Sequence, residues 1–92
     1  MSEEVKRTAD KFSIRLAPGK YAYIKYRLGR GTMYIDATFT PNEYRGRGIA
    51  AELTKAAIEY AREKSLKIVP NCSYAESYFE KHPEYSNILA KP

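Results

Sequence analysis

Apolar and polar residues alternate with a period of two through three successive stretches between residues 11 and 40. This period is typical of strands that bury one face, and Pro18-Gly19 and Gly29-Arg30-Gly31 supply turns between the stretches. Pro41 cannot donate a ladder hydrogen bond, so the third strand is expected to end before it. The pattern predicts an antiparallel three-strand meander with one apolar face. The apolar positions are Phe12, Ile14 and Leu16, then Ala22, Ile24, Tyr26 and Leu28, then Met33, Ile35, Ala37 and Phe39.

The period of the apolar residues changes to a helical one after residue 48. An amphipathic helix is predicted from Ile49 to about residue 64. Residues 66–69 form a short apolar run, expected to be a strand parallel to the third strand because a crossover helix joins the two. A C-terminal helix is predicted from Tyr74 to about Lys81, with Ser73 as its N-cap. Together these elements define the fold class as α/β (α+β).

The length of 92 residues provides for one small domain, which we expect to span residues 11–92. Residues 1–10 are charged and aperiodic, and we expect a flexible N-terminus there. The chain shows no signal-peptide hydrophobic region at its start, no apolar run long enough to cross a membrane, and a single cysteine. These features favour a cytoplasmic protein with no membrane partner and no internal disulfide. No metal-ligand spacing is present.

The run Tyr44-Arg45-Gly46-Arg47-Gly48-Ile49-Ala50 is the strongest local signal. A glycine-rich turn that leads into a helix directs backbone N–H groups and the helix dipole at one point, which suits a phosphate group. Arg45 and Arg47 add positive charge, and the net charge of +5 also favours an anionic partner. The alternative is a polar turn whose arginines are only solvated.

The residues Arg45, Gly48 and Ala50 match the acetyl-CoA signature R/Q-x-x-G-x-G/A of the GNAT superfamily of N-acetyltransferases. Further along, Ile68-Val69-Pro70-Asn71-Cys72 and His82-Pro83-Glu84-Tyr85 resemble the V-x-P-x-C and His-Pro-Glu-Tyr segments of the small single-domain GNAT-like family. The resemblance covers about residues 11–86. It implies a minimal GNAT-like fold, in which the meander, a pyrophosphate loop, the amphipathic helix, the short parallel strand and the C-terminal helix follow in order.

The resemblance also implies an enzyme that transfers an acetyl group from acetyl-CoA to an amine acceptor of unknown identity, on a small molecule or a protein. The expected cofactor-binding residues follow the strand end and the loop: Phe39, Thr40, Tyr44, Arg45, Gly46, Arg47, Gly48, Ile49 and Ala50. The expected catalytic residues are Cys72 and Tyr78. Tyr78 follows Asn71 by seven residues, as the catalytic tyrosine of the family follows a similar asparagine.

Each catalytic candidate also has a structural interpretation. Cys72 is either a small buried hydrophobe or a thiol whose thiolate form a helix N-terminus stabilises. Tyr78 either packs in the core or protonates the departing thiolate as a general acid. Asp36 and Thr38 are expected on one strand face, bordering the acceptor cleft.

The chain departs from the family where many members carry His-Thr-Glu before the loop, because Ala37-Thr38-Phe39 stands there. A general base from that segment is absent, which leaves open a CoA-binding module with little or no activity. A third, less favoured interpretation is a small basic nucleic-acid-binding domain. It rests on the net charge and on Tyr21, Tyr23, Lys25 and Arg27, which share one strand face.

Overall fold

The computed structural model describes residues 5–90, which form one five-stranded sheet with two α-helices. The strands are β1 (Lys6–Arg7), β2 (Lys11–Ala17), β3 (Lys20–Gly29), β4 (Thr32–Phe39) and β5 (Lys67–Pro70). The helices are α1 (Ile49–Glu63) and α2 (Ser73–Lys81), and two 3₁₀ segments cover Asn42–Tyr44 and Pro83–Ile88. In this part of the chain, neither α-helix has the length and apolar character needed to cross a membrane.

The strands lie side by side in chain order, β1-β2-β3-β4-β5. The first four are antiparallel and β5 is parallel to β4, so the predicted meander and parallel strand are both confirmed. The sequence pattern missed β1, in which Lys6 and Arg7 pair with Ser13 and Phe12. It lies within the segment 1–10 predicted to be flexible, of which residues 1–4 are outside the described residues.

The core consists of apolar residues from β2 to β5 that pack against α1, α2 and the last 3₁₀ segment. Tyr26 is buried, and its hydroxyl donates to the Thr8 carbonyl oxygen at 2.7 Å and accepts a bond from Arg7 at 3.3 Å. Leu28, predicted to face the core, is 49% exposed near the end of β3. The buried apolar residues are Phe12, Ile14, Ala22, Ile24, Tyr26, Met33, Ile35, Leu53, Ala57, Ile58, Ala61, Ile68, Ala75, Tyr78, Phe79 and Ile88.

A β-bulge in β4 changes which residues face the core. Tyr26 pairs with Ile35, but its neighbour Lys25 pairs with Ala37, so Asp36 is an extra residue on β4. Beyond the bulge, Thr38 lies opposite the buried Ile24 and faces inward. The alternation is therefore reversed, since a one-residue shift moves each side chain to the other face.

This reversal corrects two sequence predictions. Ala37 and Phe39 were predicted on the apolar face, but Phe39 pairs with Tyr23 on the opposite face and is 43% exposed. Asp36 and Thr38 were predicted on one face, but they point to opposite sides. Thr38 and the following Thr40 thus come to the side of the sheet on which α1 packs.

Candidate active site

A cavity of ≈ 440 Å³ lies between the end of β4, the glycine-rich loop and the N-terminal turns of both α-helices. Its position follows from the topology, because the loop leads directly from β4 into α1 and α2 begins just past the adjacent β5. The residues that line it are Thr38, Thr40, Tyr44, Arg45, Gly46, Gly48, Ile49, Ala50, Ala51 and Tyr74.

The glycines of the loop keep the floor of this cavity open. Gly46 and Gly48 have φ angles of +84° and +77°, which L side chains rarely adopt, and a Cβ on either would meet no atom within 4 Å. Gly48 is also the N-cap of α1, and the first bond of the helix runs from the Glu52 N–H to the Gly48 carbonyl at 3.0 Å. The N–H groups of residues 49–51 thus have no acceptor within the helix, and with the helix dipole they suit an anion.

Two arginines border the loop. The Arg45 Nε donates to the Thr40 carbonyl oxygen at 3.2 Å, which ties the loop to the end of β4. The Arg47 guanidinium lies 5.2 Å from the centre of the Tyr44 ring. Nearby Glu43 is paired with Lys20, and this bond lowers the pKa of the glutamate. The loop therefore adds cationic groups near the cavity, while its carboxylate is already neutralised by a lysine.

The edge of β4 beside the cavity has no neighbouring strand among residues 5–90. Pairing between β4 and β5 ends at Ile35 with Pro70, whereas β4 continues to Phe39. Such an edge offers backbone groups to an extended ligand. The hydroxyl of Thr40 is buried and has no hydrogen-bond partner within the same part of the chain. An unpaired buried polar atom is costly, so its position on the cavity wall marks a place for a ligand group.

Cys72 lies next to this wall, although it does not line the cavity. Its Sγ is 3.3 Å from the Oγ1 of Thr38, which does line it. Cys72 is half-buried and is itself the N-cap residue of α2, with an extended backbone at φ −102° and ψ 155°. This corrects the prediction that Ser73 caps the helix. The thiol thus lies at the N-terminus of α2.

Two tyrosines of α2 differ in their access to the cavity. Tyr78 is 5% exposed, its hydroxyl has no partner among the described residues, and its ring stacks on His82 at 4.3 Å. Burial raises its pKa, with a smaller contribution from Tyr85. Tyr74, 6.2 Å from Tyr78 between ring centres, lines the cavity instead. Burial raises the pKa of Tyr74 as well, and the side chain of Thr54 opposes this shift.

The structure brings most of the predicted cofactor residues to one place. Thr40, Tyr44, Arg45, Gly46, Gly48, Ile49 and Ala50 line the cavity, whereas Phe39, Arg47, Cys72 and Tyr78 do not. Thr38, Ala51 and Tyr74 also line the cavity, although no role in cofactor binding or catalysis was predicted for them. Thr38 points inward because of the bulge, and the alternation of apolar residues does not indicate that bulge. Tyr74 could have been found from its place on the first turn of α2, two residues after Cys72.

The fold is that of a class of proteins related to acetyltransferases. The family model for the GCN5-related N-acetyl-transferase matches residues 11–88, and the chain belongs to this family. The resemblance stated from the sequence is thereby confirmed, and so is the predicted α+β fold class. Family and fold together support an acetyl transfer function.

Three comparisons give the degree of similarity. A GCN5-like protein from Staphylococcus aureus, solved in solution by NMR, superposes with a TM-score of 0.81 at 35% identity, covering 100% of this chain and 93% of that one. Protein NATD1 of Xenopus tropicalis is 35% identical over 79 residues, 84% of this chain and 72% of the relative. Protein NATD1 of Danio rerio is 36% identical over 78 residues, 80% of this chain and 71% of the relative.

Proposed function

We propose that this protein is an acetyl-CoA-dependent N-acetyltransferase, with the cofactor held in the cavity between β4, the loop and α1. The observation that carries the proposal is the arrangement of the loop. Gly46 and Gly48 have positive φ and no side chain, so they leave space next to the free N–H groups at the start of the fifteen-residue helix α1. A pyrophosphate needs such a site, since backbone donors can approach it only where no side chain intervenes.

The remaining parts of the cavity also fit acetyl-CoA. Backbone groups of residues 46–51 would hold the pyrophosphate, and Arg45 and Arg47 would add charge. The open edge of β4 would pair with the amide groups of the pantetheine arm, as a peptide adds to a sheet edge. The unpaired hydroxyl of Thr40 lies on the same wall and would gain a partner there. When bound, acetyl-CoA supplies an acetyl thioester whose carbonyl carbon is open to attack by an amine.

In this proposal the phenol of Tyr74, which lines the cavity, supplies a proton there. A tyrosine phenol keeps its proton at neutral pH, and burial raises the pKa of Tyr74 further above the ordinary 10.0. An acid that holds its proton until a thiolate leaves is what the reaction requires. Tyr78, the tyrosine predicted from the sequence, is also neutral, but its hydroxyl does not line the cavity. We therefore assign the proton donor to Tyr74 and keep Tyr78 as the alternative that the experiment tests.

Cys72 has one of two roles in this proposal. In direct transfer the amine nitrogen attacks the acyl carbon, and Cys72 only positions Thr38 through the contact at 3.3 Å. In the two-step route the Cys72 sulfur would attack the acyl carbon and CoA would leave as its thiol with the proton from Tyr74; an amine would then take the acetyl group and return the Cys72 thiol. Cys72→Ala separates the routes, because it abolishes the two-step route and leaves direct transfer measurable.

Titration calorimetry with acetyl-CoA tests the cofactor assignment, and Gly31 provides a matched control. Gly48 and Gly31 have φ angles of +77° and +78°, and a Cβ added at either position would meet no atom within 4 Å. Gly31, however, lies in the β3–β4 turn, away from the loop. Gly48→Glu should abolish binding, since it places bulk and negative charge in the pyrophosphate site. Gly31→Glu carries the same charge and backbone strain and should bind as the wild type does.

Release of the CoA thiol in the presence of a panel of amines tests the catalytic part. Tyr74→Phe should slow release by about 10²- to 10⁴-fold, the range of general acid catalysis, while Tyr78→Phe should not. Binding of acetyl-CoA without any amine-dependent release would contradict the enzyme and favour the CoA-binding module. Absence of binding by the folded wild type would contradict the cofactor assignment itself.

A further inference from the structure

The sheet has a second surface, which the cavity does not use. We call it the outer face; it consists of the side chains that point away from the core. Residues paired directly across strands share a face, so the registers place them in rows. The rows are Lys6, Ser13, Tyr23 and Phe39; Lys11, Lys25 and Ala37; Arg15 and Tyr21; Arg27, Tyr34 and Val69; and Gly29, Thr32 and Lys67.

The positive charge of the protein is concentrated on the outer face. Six cations project from it, and Asp36 is its one carboxylate among the described residues; the cations are Lys6, Lys11, Arg15, Lys25, Arg27 and Lys67. The outer face thus carries a net charge of +5, whereas the other residues of the sequence comprise ten cations and ten carboxylates. Asp36 is already engaged, since its carboxylate accepts bonds from Arg27 and from Asn71.

The arrangement of two of these cations is unfavourable for the protein alone. Lys11 and Lys25 lie directly opposite each other on β2 and β3. Like charges in this position destabilise a sheet. An anion bound between them would remove the repulsion, so the pair points to an anionic partner at the outer face.

Aromatic rings occupy the rows between the cations. Tyr21 is 48% and Phe39 43% exposed, and Tyr23 contacts Phe39 at 5.4 Å between ring centres. None of these three rings belongs to the hydrophobic core of the described residues or packs against it. The Lys11 ammonium lies 5.5 Å from the centre of the Tyr23 ring. Alternate residues along β3 are about 6.6 Å apart, so rings and cations recur at short, regular intervals.

We infer that the outer face binds single-stranded nucleic acid. Exposed rings stack on bases and cations between them pair with phosphates, which is the combination that single-strand-binding surfaces use. An acidic polypeptide or an anionic membrane would use the charge but has no nucleobases to stack on the rings. This inference does not depend on the proposed acetyltransferase function, because Thr38 and Thr40 line the cavity on the opposite side of the sheet.

Fluorescence anisotropy with a labelled oligothymidine of about twelve nucleotides tests the inference, a length within the site sizes of single-strand-binding domains. Tyr21→Ala should weaken binding at least about fivefold through lost stacking. Its control is Leu28→Ala, since the side chain of Leu28 is 49% exposed, like that of Tyr21, but does not lie on the outer face. Lys25→Glu should weaken binding and flatten its dependence on salt, whereas Lys55→Glu, on the exposed side of α1, should change affinity by no more than about twofold.

Three results would overturn the inference. The first is equal binding by wild type and Tyr21→Ala, both folded by circular dichroism, since charge alone would then account for the complex. The second is tighter binding to polyglutamate or to phosphatidylserine vesicles than to the oligonucleotide. The third is displacement of the oligonucleotide by acetyl-CoA, which would place the oligonucleotide in the cavity rather than on the outer face.

Discussion

Replacing Tyr78 with phenylalanine should stabilise this protein, although most substitutions in a core destabilise. The Tyr78 hydroxyl is buried and has no hydrogen-bond partner among the described residues. Leaving such a group unsatisfied costs about 1–3 kcal/mol, and phenylalanine removes it while keeping the ring that stacks on His82. After allowance for the small void left by the oxygen, we expect a gain of about 1 kcal/mol in the free energy of unfolding.

The gain is measurable as a rise of about 4–8 °C in Tm for a domain of this size, or from chemical denaturation. Tyr26→Phe is the matched control with the opposite expected sign. The Tyr26 hydroxyl is bonded to the Thr8 carbonyl at 2.7 Å, so its removal should cost about 1 kcal/mol.

The dependence on pH gives a second readout for Tyr78→Phe. The pKa of Tyr78 is higher in the folded than in the unfolded protein, so the folded state holds the phenolic proton more tightly. The stability that this proton gives the wild type is fully present below pH 10.0, the ordinary pKa, and is lost as the pH rises through the folded value. The advantage of Tyr78→Phe over the wild type should therefore grow above pH 10.0. A loss of about 1 kcal/mol or more, the size of a lost hydrogen bond, would refute the argument, because it would show that the hydroxyl is bonded in solution.

Two further predictions concern the cavity and the sheet. Thr40→Val should raise the free energy of unfolding of the free protein by about 1 kcal/mol, for the same reason as Tyr78→Phe, but weaken acetyl-CoA binding by roughly 2- to 12-fold, the contribution of one hydrogen bond, in calorimetric titration; unchanged affinity would mean that the hydroxyl does not contact the cofactor. Asp36→Asn should destabilise the protein at neutral pH because the bond from Arg27 lowers the pKa of Asp36 below 3.8. That destabilisation, measured by chemical denaturation, should disappear as the pH falls through the lowered pKa, and a difference that persists in acid would contradict the ion pair as its cause.

The sequence predicted the elements whose pattern is local and regular. Alternation identified β2, β3 and β4, the helical period identified α1, and the crossover rule gave the parallel direction of β5. The loop was recognised because glycine at Gly46 and Gly48 has a local cause, the positive φ that the structure shows.

What the sequence did not predict depends on contacts distant in the chain. The bulge at Asp36 arises in the pairing of β3 with β4, and its effect was to turn Phe39 outward and Thr38 into the cavity. The strand β1 has two residues, too few for a period to appear. The choice between Tyr74 and Tyr78 depends on how α2 packs, since the two side chains lie one helical turn apart and no composition rule separates them.

The central claim is that acetyl-CoA binds between the end of β4 and the start of α1. An amide-resolved NMR titration of the wild type with acetyl-CoA tests it most directly, because each residue reports its own environment. We expect the largest shifts at residues 46–51 and 38–40, with the amides of Lys11 and Tyr21 on the outer face unchanged. Shifts concentrated on the outer face, or none in the folded protein, would contradict the claim.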